Sequence, residues 1–379
     1  MAVALTNGPI LLDGGFVDGR AVIVEDGRIS AILPAADVPA AMPRHDLDGG
    51  RLVPGFIDAQ VNGGGGVLFN DAPTVETIAA IGAAHRRFGT TGFLPTLISD
   101  DLQVVRAGVA AVDAAIAAGV PGVLGIHIEG PFLNVARKGI HDPAKIRALD
   151  EEGFAAVTGL ARGHTLITLA PERTTPVMIR RLADAGLVVA AGHTNGSYRA
   201  IRDALDHGLA GFTHLFNAMS PLGSREPGAV GAALEDRAAW CGLIVDGRHV
   251  DPVTMRLALR CKPADRFMLV TDAMPSVGLE DKAFTLQGHR ITVVDGVCVN
   301  EDGTLAGSDL DMARAVRNSV AMLGVDLATA VGMASHSPAC FLGIDHQRGR
   351  IAPGLAADLV ILDDRGEVTG SWIGGQFAA

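Results

Sequence analysis

The chain is short of cysteine, aromatic residues and clustered positive charge, and each shortage argues against a class of protein. Four cysteines occur in 379 residues, Cys241, Cys261, Cys298 and Cys340, with no Cys-x-x-Cys pair. That spacing argues against a disulfide framework and a zinc knuckle and fits reduced thiols. Aromatics make up 4% of the residues, the formal charge is −11 and no Lys/Arg run occurs. A nucleic-acid surface needs a basic footprint and usually stacking rings, so no nucleic-acid partner is expected. No apolar stretch approaches the roughly 20 residues that span a bilayer. The opening Met-Ala-Val-Ala-Leu-Thr-Asn-Gly lacks the basic region of a secretory signal. The expectation is a cytoplasmic protein with small-molecule partners and none in the membrane. An anionic ligand would need a few local cations, because the overall field repels it.

What is present is enough for a large core. Hydrophobic residues make up 48%, and the length fits a barrel of roughly 250 residues plus a smaller module. Up to residue 50 the sequence alternates short β-like segments with turns such as Asp26-Gly27, and residues 346–379 have the same character. Neither end closes a sheet alone, so the two are expected to pair into one small β-sandwich module. Between them, residues 51–345 alternate strands and helices. Strand candidates are 52–58, 92–98, 122–128, 165–170, 187–192, 210–214, 241–245 and 267–271, the eight that a (β/α)8 barrel requires. Helices are expected between most of them and again at 310–323 and 326–341, with hairpin strands at 283–305 around Gly288 and Asp295-Gly296.

Four polar residues stand where apolar runs stop: Glu129 after Val-Leu-Gly-Ile-His-Ile, His193 after Leu-Val-Val-Ala-Ala-Gly, His214 after Gly-Phe-Thr, and Asp272 after Phe-Met-Leu-Val-Thr. If the runs are barrel strands, all four lie on the C-terminal rim, where the active sites of such barrels sit. Taken singly, each has a plainer explanation as a solvated charge or a structural histidine. Three on one rim form a Glu/His/His ligand set with an open position, leaving Asp272 for proton transfer. The reading is a metal-dependent hydrolase holding one divalent metal per subunit. Zinc is the first choice and iron the second, since ligand type alone does not decide.

Leu52-Val-Pro-Gly-Phe-Ile-Asp58, His127-Ile-Glu-Gly-Pro-Phe-Leu-Asn134, Gly192-His-Thr-Asn195, Thr213-His-Leu-Phe-Asn-Ala-Met219 and Leu269-Val-Thr-Asp-Ala273 resemble the motifs of N-acetylglucosamine-6-phosphate deacetylases, in the amidohydrolase superfamily. The resemblance extends to Gly354-Leu-Ala-Ala-Asp-Leu-Val-Ile361, effectively the whole chain. It implies hydrolysis of N-acetylglucosamine 6-phosphate to glucosamine 6-phosphate and acetate. It also implies Asp272 as general base and acid, and His141 as the donor that polarises the carbonyl. Substrate contacts implied in the same way are Ile140, Asn217, Ala218, Arg225, the turn Asp246, Gly247, Arg248 and His249, and the segment Leu305, Ala306 and Gly307. A homodimer that shares its phosphate site through Arg225 is a further implication. Many amidohydrolases carry His-x-His on the first strand for a second metal. Here Gln60 and Asn62, neutral amides with weak affinity for such cations, follow Asp58, which points to a single principal metal. Three rivals stand beside this reading: the same reaction on N-acetylgalactosamine 6-phosphate, a cyclic amidase, and a non-catalytic amidohydrolase-like assembly protein. The cyclic amidase lacks its expected His-x-His, and the scaffold would have no need to keep ligands and base together.

Overall fold

The computed structural model describes residues 2–294 and 296–379. Eight parallel strands pair in chain order: β1 (Phe56–Val61), β2 (Thr90–Ile98), β3 (Gly125–Glu129), β4 (His164–Leu169), β5 (Val188–Ala191), β6 (Leu209–Phe212), β7 (Trp240–Leu243) and β8 (Phe267–Leu269). Every residue of the first three is buried, as a parallel sheet covered on both faces requires. The sheet closes just beyond β8. Asp272 N–H donates to Gln60 O at 2.9 Å, Asn62 N–H donates to Ala273 O at 2.9 Å, and Val61 bridges Ala273 in parallel. A buried carboxylate ties the same seam: Asp58 accepts the Thr271 hydroxyl at 2.5 Å and the Thr271 N–H at 3.2 Å. Burial pushes the Asp58 pKa up to about 7, against those bonds.

The helices start where the sequence supplies caps. The Thr74 hydroxyl accepts Thr77 N–H ahead of Val75–Arg86, Thr175 does the same before Pro176–Asp184, and Asp251 accepts Val253 N–H before Pro252–Cys261. Proline at the first helical position costs nothing, because its missing donor would be unpaired there anyway. The expected helix at 326–341 is two, Leu327–Ala334 and His336–Phe341. The break is at Ser335, whose N–H donates to Gly332 O at 3.3 Å while its hydroxyl donates to Val331 O at 2.6 Å, and Pro338 has no N–H to give Ala334 O. The expected helix at 310–323 runs as Met312–Asn318 and widens into a π turn over Ser319–Leu323.

The first expected strand, 52–58, also divides. Arg51–Pro54 belongs to the small module, paired antiparallel with Leu359–Leu362, whereas the barrel begins at Phe56. Gly55 is the crossing point: a Cβ there would stand 2.1 Å from Thr91 Oγ1, so only glycine lets the chain pass. The module holds two sheets. One has four strands, all from the N-terminal segment, and the other has six, drawn from both ends of the chain. Leu5, Val22, Ile29, Leu52, Leu359 and Trp372 pack between them. After β8 comes a four-stranded antiparallel sheet, Phe284–Leu286, His289–Val294, Val297–Val299 and Leu305–Ser308. Its first turn is at Gln287-Gly288, both with positive φ, as a tight hairpin demands. The second expected turn includes Asp295, which lies outside the described residues. No helix among the described residues is long and apolar enough to cross a membrane.

Candidate active site

Glu129 ends β3, while His193, His214 and Asp272 follow the ends of β5, β6 and β8, so the four expected rim residues meet around one cavity of about 250 Å³. Three of them leave the strand in an uncommon way: His193, His214 and Asp272 have φ of 48°, 31° and 52°. Left-handed backbone at a non-glycine residue costs on the order of 1–3 kcal/mol and must be held by its surroundings. Here backbone hydrogen bonds do so. Asn134 N–H bonds His193 O, Asn217 N–H bonds His214 O, and Ser308 N–H bonds Asp272 O.

The Glu/His/His atoms converge. His214 Nε2 is 2.9 Å and His193 Nε2 3.3 Å from Glu129 Oε1, and the two imidazole nitrogens are 3.1 Å apart. Ligands about 2.0–2.2 Å from one tetrahedral ion stand roughly 3.3–3.6 Å from each other, so the set needs little change to hold a divalent cation. The tautomer agrees. His193 Nδ1 lies 2.8 Å from Arg137 O, a pure acceptor, so Nδ1 carries the proton and Nε2 presents its lone pair to the cluster. Without a cation, the charges compensate locally. Burial alone would raise Glu129, but the adjoining His193 and His214 imidazoles hold it well below the usual carboxylate range. Burial lowers His214, and the Glu129 carboxylate more than restores it, leaving it raised.

Asp272 is held by two amides. Asn62 Nδ2 donates to Asp272 Oδ1 at 2.7 Å, and Gln60 Nε2 reaches the same oxygen at 3.1 Å while lying within 3.2 Å of both Glu129 oxygens. Burial first and the Glu129 charge second raise the Asp272 pKa to about 6. Gln60 and Asn62 were legible in sequence only as absent metal ligands. Gln60 links the carboxylate of the cluster to Asp272, and Asn62 supports Asp272 alone.

His141 joins them from a loop. It is buried, and its Nδ1 accepts Ser99 N–H at 3.2 Å and lies 2.8 Å from Ser99 Oγ. An Nδ1 that accepts leaves Nε2 as the N–H of the neutral ring. Burial, then the neighbouring His193, keeps that ring far below the ordinary histidine pKa. Ser99 went unnoticed in sequence, although it too is a polar residue directly after an apolar run.

Of the other expected contacts, Ile140, Asn217, Ala218, His249, Leu305 and Gly307 line the cavity. Asp246, Gly247, Arg248, Ala306 and Arg225 do not. The Asp246 side chain turns inward to accept Arg248 N–H at 2.8 Å and His249 N–H at 2.9 Å, and it pairs with His249 Nδ1 at 2.6 Å. It therefore aims His249 rather than facing a ligand. Arg248 is exposed, and Ala306 is buried in an apolar cluster with Ile98, Met274 and Leu286. Arg225 is exposed on the loop after β6 and makes no ion pair among the described residues. Asn62, Met274, Leu286 and Thr304 line the cavity without having been expected there.

Known proteins show the same arrangement of sequence and fold. The model of the amidohydrolase family matches residues 51–378, and that of the NagA composite domain matches residues 3–52. The N-acetylgalactosamine-6-phosphate deacetylase of Shewanella sp. (strain ANA-3) is 44% identical over 97% of this chain and 93% of its own. The crystal structure of N-acetylglucosamine-6-phosphate deacetylase from Pasteurella multocida superposes with a TM-score of 0.97 at 36% identity, covering 100% of both chains. A mutant of the Mycobacterium smegmatis N-acetyl-D-glucosamine-6-phosphate deacetylase, in complex with N-acetyl-D-glucosamine-6-phosphate, gives 0.90 at 33% identity, covering 100% of this chain and 98% of that one.

Proposed function

We propose that this chain, which belongs to the amidohydrolase family, hydrolyses the acetamide of an N-acetylhexosamine 6-phosphate to the free amine and acetate. N-acetylglucosamine 6-phosphate is the first substrate. The observation that carries the reading is the meeting of Glu129, His193, His214 and Asp272 on one cavity wall. Glu129, His193 and His214 would hold one divalent cation, zinc before iron, and when bound it would supply Lewis acidity toward the carbonyl and acidify water. Asp272 takes the proton of the attacking water and returns it to the nitrogen as the C–N bond breaks, because an amide anion is otherwise a poor leaving group. His141 Nε2–H donates to the carbonyl oxygen as negative charge builds there. Water oxygen and acyl carbon form the new bond, and the products are acetate and the amino sugar.

Asn217, Ala218 and His249 line the same cavity and would take the phosphate, and Leu305 and Gly307 line it from the antiparallel sheet and would close over the sugar. Ile140 contributes its backbone beside His141. Asp246 acts by orienting His249. Gly247, Arg248 and Ala306 support these segments without facing the ligand. We assign Arg225 to the site of a neighbouring subunit in a homodimer, which its exposed loop position supports. The four free cysteines fit a reducing compartment and support a cytoplasmic location.

A second reading is favoured by the 44% identity to a galactosamine-type deacetylase. The two epimers differ at one hydroxyl and share every reacting atom. The test is acetate release from both 6-phosphates and from both unphosphorylated sugars, after elemental analysis of protein purified without chelator. The reading requires near one metal equivalent and a far lower kcat/KM on the unphosphorylated sugars, because charge-assisted bonds to the remote phosphate help place the amide. No acetate from either phosphosugar refutes it, and the ratio between the epimers decides between the two substrates.

A further inference from the structure

Glu172 sits in the short turn Pro171–Arg173 just past β4 and does not line the cavity. Its carboxylate nevertheless gathers three donors from the two loops that frame His193. Oε1 accepts Asn195 N–H at 2.7 Å and Asn134 Nδ2–H at 2.9 Å, and Oε2 accepts the Thr194 hydroxyl at 2.5 Å. Thr194 and Asn195 directly follow His193. Asn134 opens the turn that carries Arg137, whose carbonyl takes the His193 Nδ1 proton. The same turn is tied back twice more: Asn134 N–H bonds His193 O at 3.0 Å, and Arg137 Nε–H bonds Asn195 Oδ1 at 2.9 Å.

We propose that Glu172 is a positioning residue that fixes the orientation and the tautomer of His193, and through it the affinity of the cation site. The inference rests on the metal reading of Glu129, His193 and His214. The physical reason is the left-handed backbone of His193, which does not persist unless its neighbours impose it. A carboxylate bonded to both flanking loops imposes it on one side and holds the carbonyl partner of Nδ1 on the other. Outer partners of a ligating histidine typically govern metal affinity by about 10–100-fold.

The experiment measures Zn²⁺ affinity of the metal-free protein by competition with a chromophoric chelator, with folding followed by circular dichroism and Tm. Glu172→Ala should weaken Zn²⁺ binding about 10–100-fold while the protein remains folded. Glu172→Gln keeps an acceptor for Asn134 and Asn195 and can donate to the Thr194 oxygen, so it should stay within about threefold of the parent, on the geometric rather than the charge argument. Asn134→Ala cuts one arm only and should fall between them, which keeps the inference testable should Glu172→Ala fail to fold. Glu129→Gln is the control for the underlying reading. If Glu129→Gln loses Zn²⁺ while folded Glu172→Ala and Asn134→Ala both bind as the parent does, the positioning role is wrong and the metal site stands. If Glu129→Gln binds like the parent, both fall. Equal losses in Glu172→Ala and Glu172→Gln would also overturn the inference, since charge and not geometry would then be responsible.

Discussion

Asn62 and Asp272 lie 210 residues apart in the chain, and the Asn62 amide nitrogen is 2.7 Å from Asp272 Oδ1. The contact spans the seam where β1 and the end of β8 close the barrel. Asn62, read in the sequence as an absent metal ligand, thereby becomes a support for the carboxylate that we propose moves the proton. Hydrogen bonds to charged groups contribute about 1.5–3 kcal/mol. If this one serves to orient Asp272, Asn62→Ala should lower kcat roughly 10- to 100-fold with little change in KM or metal content. Steady-state kinetics with metal analysis check it, and a selective rise in KM would instead place Asn62 on the substrate.

Asp272→Asn keeps the shape and removes the proton acceptor. Metal content and substrate binding should survive, while kcat falls by about 10²–10⁴, the usual share of an acid–base group. A variant that keeps more than about a tenth of kcat removes Asp272 from that role.

Arg225 allows a complementation test. Arg225→Ala and Asp272→Ala subunits are each expected to be nearly inactive alone. Mixed dimers should regain one complete site per dimer if the arginine acts across the interface, and none if it acts within its own subunit. Activity of the verified heterodimer is the measurement, and a stable monomer would reject the shared site sooner.

His85 predicts a pH dependence of stability. It is buried on helix Val75–Arg86, and its Nε2–H bonds Gly63 O at 2.9 Å. Burial outweighs that bond and depresses its pKa to about 4. A folded-state pKa below the unfolded value means that the unfolded chain binds the extra proton. The contribution of His85 is therefore complete above about pH 6.5 and is lost as pH falls toward 4, at about 1.4 kcal/mol per pH unit. His85→Gln lacks this titration, so urea unfolding at pH 7 and pH 5 should show the gap between parent and variant closing by up to about 2 kcal/mol at the lower pH. A constant gap would contradict the assignment.

Glu129, His193, His214 and Asp272 were readable because each breaks a local apolar run, and runs of buried parallel strand are a local property. The same signal gave eight barrel strands and placed the rim. It misplaced the first, since nothing in the composition of Arg51–Asp58 tells which half pairs with Leu359–Leu362 and which with β2; the close approach of Gly55 to Thr91 decides that. The family motifs marked the Asp246–His249 turn as a unit, and only the folded turn shows Asp246 facing inward and His249 facing the cavity. Gln60 and Asn62 had no visible function in the sequence, because their partners come from β3 and from beyond β8. Barrel closure brings Asp58 to Thr271 across 213 residues, and with them Gln60 to Asp272. Which residues can carry the chemistry was therefore set by residue type at strand ends. Which atoms are donors, which tautomers are held and which carboxylates are pushed up were set by long-range hydrogen bonds and burial, which exist only once the barrel has closed.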